Sequence, residues 1–136
     1  MNLTDTGPLT ALADRNDPAH ARCVAALSGL TSSPLLTTWP CFTEAMYLLH
    51  REGGLPAQRK LWTLRQKGVV VIHSLTDAEA DRIQALMEQY RDIPMDLADA
   101  SLVAVAESLE LSHIFTLDKH FHAYRIFGSG AFKVVP

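Results

Sequence analysis

Four carboxylates stand at positions where they could converge on one cation. Asp5 ends the short apolar segment Met1 to Thr4 and is followed by Thr6-Gly7-Pro8. Glu44 has Pro40, Cys41, Tyr47 and Leu48 as neighbours at helical spacing, so its charge is set against an apolar stripe. An unpaired buried carboxylate is costly, so Glu44 either escapes at the rim of that stripe or meets a cation. Asp99 follows Asp96 by three positions and has Met95, Leu102 and Val103 as helical neighbours. Asp118 closes Thr116-Leu117 and precedes Lys119-His120-Phe121. Taken singly, each has a plain structural reading. Asp5, Asp96 and Asp118 suit helix caps, and Asp99 suits a first turn favoured by the helix dipole. Taken together they are a donor set for a hard divalent cation, which prefers oxygen ligands. A cluster of about four carboxylates can hold one or two such ions for hydrolysis of a phosphodiester.

The elements that carry these residues follow from periodicity and punctuation. Short strands are predicted at 1–4, 35–38, 69–72, 113–117 and 132–135, each apolar or β-branched. Between them lie helical patterns. One runs over 8–15, and a second begins with Asp17 as N-cap and Pro18 at the first helical position. Pro40 opens a helix that stops by Gly53-Gly54, and Pro56 opens another that ends at Gly68. Thr76 and Glu79 form a capping box, and Asp96 or a neighbour starts the helix carrying Leu102, Val103 and Leu109. Strands alternating with helices predict an α/β layer fold with a mostly parallel sheet flanked by helices. In such sheets ligands gather beyond the carboxyl ends of the strands, where Asp5 and Asp118 fall.

Composition bounds the rest. The chain has 136 residues, 48% hydrophobic and 20% charged, which is expected to make one domain, 1–136, and excludes a disordered or collagen-like chain. No apolar run approaches the ~20 residues that span a bilayer, and the N-terminus lacks a signal-peptide pattern. Cys23 and Cys41 fit neither a ligand spacing nor a disulfide framework, so the expected compartment is the cytoplasm. The net charge of −3 argues against nucleic acid as a partner. Setting aside four of the 15 acidic side chains leaves 11 against 12 basic ones, which reverses that argument.

The same residues carry a resemblance. Asp5-Thr6-Gly7-Pro8-Leu9 resembles the opening of a PIN domain, Thr43-Glu44 its second acidic position, and Leu97-Ala98-Asp99-Ala100-Ser101 its third. Thr116-Leu117-Asp118-Lys119-His120-Phe121 resembles the fourth. Four motifs in the family's order run from about Asn2 to Val135. The departure is Gly7-Pro8, where Asn and an aliphatic residue often follow the Thr. The resemblance implies a PIN-like three-layer fold and a ribonuclease dependent on Mg²⁺ or Mn²⁺. Asp5, Glu44, Asp99 and Asp118 would be its ligands and catalytic groups, with Thr6 and Thr116 as supporting hydrogen-bonding residues. Asp96 is an extra acid, either supporting or simply the cap. At this length the chain resembles the VapC-type toxins of toxin–antitoxin pairs, which implies a homodimer and a cognate antitoxin protein.

Other chemistry finds less support. No His-x-x-x-His occurs, so zinc is not expected, and there is neither a Gly-x-Ser-x-Gly elbow nor a P-loop. His120 reads as a surface histidine or a phosphate contact. Arg51, Arg59, Lys60, Arg65 and Lys67 make either a solvated face or a site for phosphate-backbone contacts. The rival to a nuclease is a PIN-like scaffold of little activity that docks RNA or protein. Retention of all four acids argues against it.

Overall fold

Residues 1–30 and 33–136 are described in a computed structural model. The strands are β1 (Asn2–Thr4), β2 (Leu35–Thr38), β3 (Val70–His73), β4 (His113–Phe115), β5 (Arg125–Ile126), β6 (Gly130–Ala131) and β7 (Lys133–Val135). The helices are α1 (Thr6–Ala13), α2 (His20–Leu27), α3 (Trp39–Gln66), α4 (Asp77–Gln89) and α5 (Leu97–Leu109), with a 3₁₀ turn at Lys119–His122. Five strands form one sheet in the order β3-β2-β1-β4-β7, with every pairing parallel. β5 and β6 make a separate antiparallel hairpin.

A parallel sheet is covered on both faces, so its central strands are buried throughout rather than alternating. All residues of β1 and β2 are buried. Leu3, Leu36, Ile114 and Phe115 pack with Leu9, Phe42, Leu49, Leu102 and Phe121 in the core. Each such side chain gains ~1.5–3 kcal/mol from leaving water. The strand threonines are buried too, and each hydroxyl has a partner. Thr37 donates to the Thr4 carbonyl at 2.8 Å, and Thr38 pairs with Ser101 at 2.6 Å.

Several boundaries differ from the sequence expectation, each for a local reason. α1 begins at Thr6, two residues before Pro8, because Asp5 caps it. Pro8 is tolerated there since a first-turn N–H has no helical partner. α2 begins at His20 rather than Pro18. Asp17 does accept from the Ala19 N–H at 2.8 Å, but it closes a turn ahead of the helix. The two helices expected on either side of Gly53-Gly54 are both present, because α3 is broken at Gly54, whose φ of 65° and ψ of −155° are not helical. The strand expected over 113–117 stops at Phe115, although the Thr116 N–H still donates to Val135. The β5–β6 hairpin is an addition to the elements expected from the sequence. The Thr76–Glu79 capping box forms as expected.

Candidate metal centre

Asp5 sits where β1 ends and α1 begins, beside β4. Its Oδ1 accepts from the Thr6 N–H at 2.8 Å and its Oδ2 from the Thr116 hydroxyl at 2.7 Å. Burial pushes its pKa up, the two hydrogen bonds pull it down, and the charges of Asp118 and Asp96 push it up again. The helix cap proposed for Asp5 and its place in a carboxylate cluster are therefore both realised by one side chain.

Asp118 is held over the end of the neighbouring strand. The Thr116 hydroxyl that donates to Asp5 also accepts from the Asp118 N–H at 2.9 Å, so one oxygen links two acids. Asp118 Oδ1 accepts from the His120 N–H at 2.9 Å and lies 2.8 Å from His120 Nδ1. The His120 ring is half-buried and stacks on Tyr124 with 27° between the planes.

Asp99 arrives from α5. Asp96 is the N-cap: its Oδ1 accepts from the Asp99 N–H at 2.8 Å. Asp99 Oδ2 accepts in return from the Asp96 N–H at 3.3 Å, which completes a capping box. Asp99 is thus more of a cap than its apolar neighbours suggest, while Asp96 faces solvent as expected. Burial first, then the charges of Asp96 and Asp5, raise the Asp99 pKa to about 7. The buried Tyr124 hydroxyl, which donates to the Pro94 carbonyl, is 3.4 Å from Asp99 Oδ2. Burial and the Asp99 charge push that phenol upward.

Carboxylate oxygens of Asp5, Asp99 and Asp118 lie within 4.8 Å of one another. Glu44 stands outside this group. It is exposed on α3, at the rim of its apolar stripe, and lines the same cavity of about 310 Å³ with Thr6, Gly7 and Asp96. Partial burial and then the charges of Asp96 and Asp5 raise its pKa. Thr6 supports Asp5 through its backbone N–H, while its hydroxyl reaches the Cys41 carbonyl at 3.4 Å.

The donor set fits a hard divalent ion. All donors are carboxylate oxygens, and they come from three separate elements. Burial first, and then the neighbouring carboxylate charges, raise the pKa of Asp5 and of Asp99, and a cation would relieve both penalties. Tyr124 carries no signal in the sequence. Nothing in the spacing of Asp99 and Tyr124 signals their contact. His120 left a faint signal in its position two residues after Asp118.

Comparison with known proteins bears on the family and the fold. The family model described as PIN domain matches residues 3–126. Ribonuclease VapC26 of Mycobacterium tuberculosis is 29% identical over 139 residues, covering 98% of this chain and 99% of the relative. The crystal structure of Mycobacterium tuberculosis VapC20, described as a sarcin–ricin loop cleaving toxin, superposes with a TM-score of 0.85 at 19% identity, covering 100% of both chains. At that identity the likeness speaks for the fold.

Proposed function

The chain belongs to the PIN domain family, and from that premise we propose that it is a divalent-metal-dependent ribonuclease, the toxin of a toxin–antitoxin pair. The observation that carries this reading is the convergence of Asp5, Asp99 and Asp118 oxygens beyond the carboxyl ends of β1 and β4. The near full-length relative named as a ribonuclease supports it. In this reading Asp5, Asp99 and Asp118 would hold Mg²⁺ or Mn²⁺, with Glu44 on the wall of the same cavity. Such an ion, when bound, offsets the negative charge that grows on the phosphate oxygens as the bond breaks.

The chain's own residues do the rest. Thr116 orients Asp5 and tethers the Asp118 backbone, and His120 fixes the Asp118 carboxylate. Glu44, free of ion-pair partners among the described residues and facing the cavity, orients the attacking water. The protein works as a single-domain homodimer in the cytoplasm and is silenced by a cognate antitoxin. No helix among the described residues is long and apolar enough to cross a membrane.

The test is cleavage of RNA by the purified protein with Mg²⁺ or Mn²⁺, with excess EDTA, and with metal restored. The expected result is cleavage that EDTA stops and metal restores. Cleavage indifferent to EDTA would overturn the metal dependence, and no cleavage of any RNA under all three conditions would overturn the nuclease.

A further inference from the structure

The three acids of the centre are not held alike. Asp5 accepts a hydrogen bond on each of its oxygens, from the Thr6 N–H and from the Thr116 hydroxyl. Asp99 and Asp118 are held by one oxygen each. On Asp99 it is Oδ2, which faces the Asp96 N–H at 3.3 Å and the Tyr124 hydroxyl at 3.4 Å. On Asp118 it is Oδ1, which accepts from the His120 N–H at 2.9 Å and lies 2.8 Å from His120 Nδ1. Among the described residues, the second oxygen of each of these two acids is uncommitted.

One side chain stands behind both. Tyr124 is fully buried and does not line the carboxylate cavity. Its hydroxyl has a single proton to give. The closer acceptor is the Pro94 carbonyl, two residues ahead of the cap Asp96, and Asp99 Oδ2 lies next to the same hydroxyl. The Tyr124 ring stacks on His120, with centroids 6.4 Å apart. That ring is itself confined, edge-on to Tyr90 at 5.3 Å and to Phe121 at 5.1 Å, separations at which aromatic pairs attract. Asp99 belongs to α5 and Asp118 to the turn after β4, so a single confined residue touches the supports of two acids from separate elements.

We propose that Tyr124 is a positioning residue of the metal centre: its hydroxyl sets the start of α5 and its ring sets His120, which together fix Asp99 and Asp118 with their uncommitted oxygens available to the cation. The proposal rests on the metal-centre reading and adds to it a residue that meets neither cation nor RNA. Ligands placed before the ion arrives bind it more tightly than ligands that must be ordered by it.

The test is calorimetric titration of Mn²⁺ into variants shown by melting curves to be folded. Tyr124→Phe keeps the ring and removes the hydroxyl, and its Kd for Mn²⁺ is expected to weaken roughly tenfold, with cleavage at limiting Mn²⁺ falling in step. Tyr124→Leu removes the ring as well and is expected to weaken binding further; where it does not fold, Tyr124→Phe decides alone. Tyr90→Phe is the control. Its hydroxyl accepts from the Arg125 N–H at 3.0 Å, so the change loosens the same aromatic cluster without touching an acid, and its Kd is expected to match wild type.

An unchanged Kd in Tyr124→Phe overturns the proposal and leaves the metal centre standing; a lowered melting temperature beside it would make Tyr124 a packing residue. Equal weakening in Tyr124→Phe and Tyr90→Phe also overturns it, because a softened cluster would then be the cause. A wild-type protein that binds no Mn²⁺ overturns the metal-centre reading itself, and the proposal with it.

Discussion

Thr116 commits its single hydroxyl proton to Asp5 and its oxygen to the Asp118 N–H. Replacing it with valine keeps the shape and removes both bonds. Leaving buried polar groups unpaired costs ~1–3 kcal/mol, and loss of such a supporting contact weakens metal affinity roughly 10–100-fold. Thr116→Val is therefore expected to lower the melting temperature and to weaken Mn²⁺ binding by calorimetry; unaltered affinity would make Thr116 a purely structural residue. A second comparison separates Asp96 from Asp99. Asp96→Ala removes the shorter cap bond and is expected to cost ~1 kcal/mol while keeping most of the cleavage. Asp99→Ala loses the 3.3 Å reciprocal bond and the long 3.4 Å bond from Tyr124, both weak, and relieves repulsion, so its melting temperature should hold while cleavage disappears. The opposite pattern would move the centre to Asp96. Both acids were legible in the sequence because capping and burial follow from helical spacing. Tyr124 was not, since its contact with Asp99 depends on how the loop after β4 packs on α5.

Among the elements, α3 depends on its break. Gly54 has φ +65°, in a region that is nearly exclusive to glycine and costs other residues ~1–3 kcal/mol. Gly54→Ala should destabilise the fold by about that much in urea titrations, with cleavage per folded molecule unchanged; an unchanged midpoint would mean the break tolerates a side chain. The start of α4 is fastened differently. Burial alone would raise the pKa of Glu79, but hydrogen bonds from Ser108, the Thr76 N–H and His73, with the His73 charge, hold it at about 2. A carboxylate more acidic in the folded state stabilises above its unfolded value of 4.5, and this contribution fades as pH falls toward 2. Its size is on the order of 3 kcal/mol. Glu79→Gln should therefore lose stability at neutral pH and show a shallower fall between those limits, measured against wild type so that the raised carboxylates cancel. Parallel pH curves would remove Glu79 from this role. The caps at Thr76 and Asp96 were readable because a capping box is local. The true start of α2 was not, because Asp17-Pro18 serves a turn as well as it serves a helix. The β5–β6 hairpin was hidden for a similar reason: Phe127 adopts φ 51°, a conformation that a phenylalanine does not announce.

For the whole molecule, alternation of strands with helices already implied a parallel sheet, and the four acids in order already implied a cavity beyond its strand ends. What the sequence left open was distance. It treated Glu44 as the equal of the three aspartates, whereas the fold sets it apart at the cavity rim, because the first turns of α3 carry it to solvent. A cation that binds only the folded state raises stability by RT ln(1 + [L]/Kd), so Mn²⁺ should raise the melting temperature of the whole chain, and less so in Asp99→Asn. The most direct measurement is the rate of single-turnover RNA cleavage against Mn²⁺ concentration, in wild type and in Asp118→Asn. A saturable rise in the wild type and a flat, near-zero rate in a folded Asp118→Asn are expected. Equal rates in the two proteins at every Mn²⁺ concentration would contradict a metal centre built on Asp5, Asp99 and Asp118.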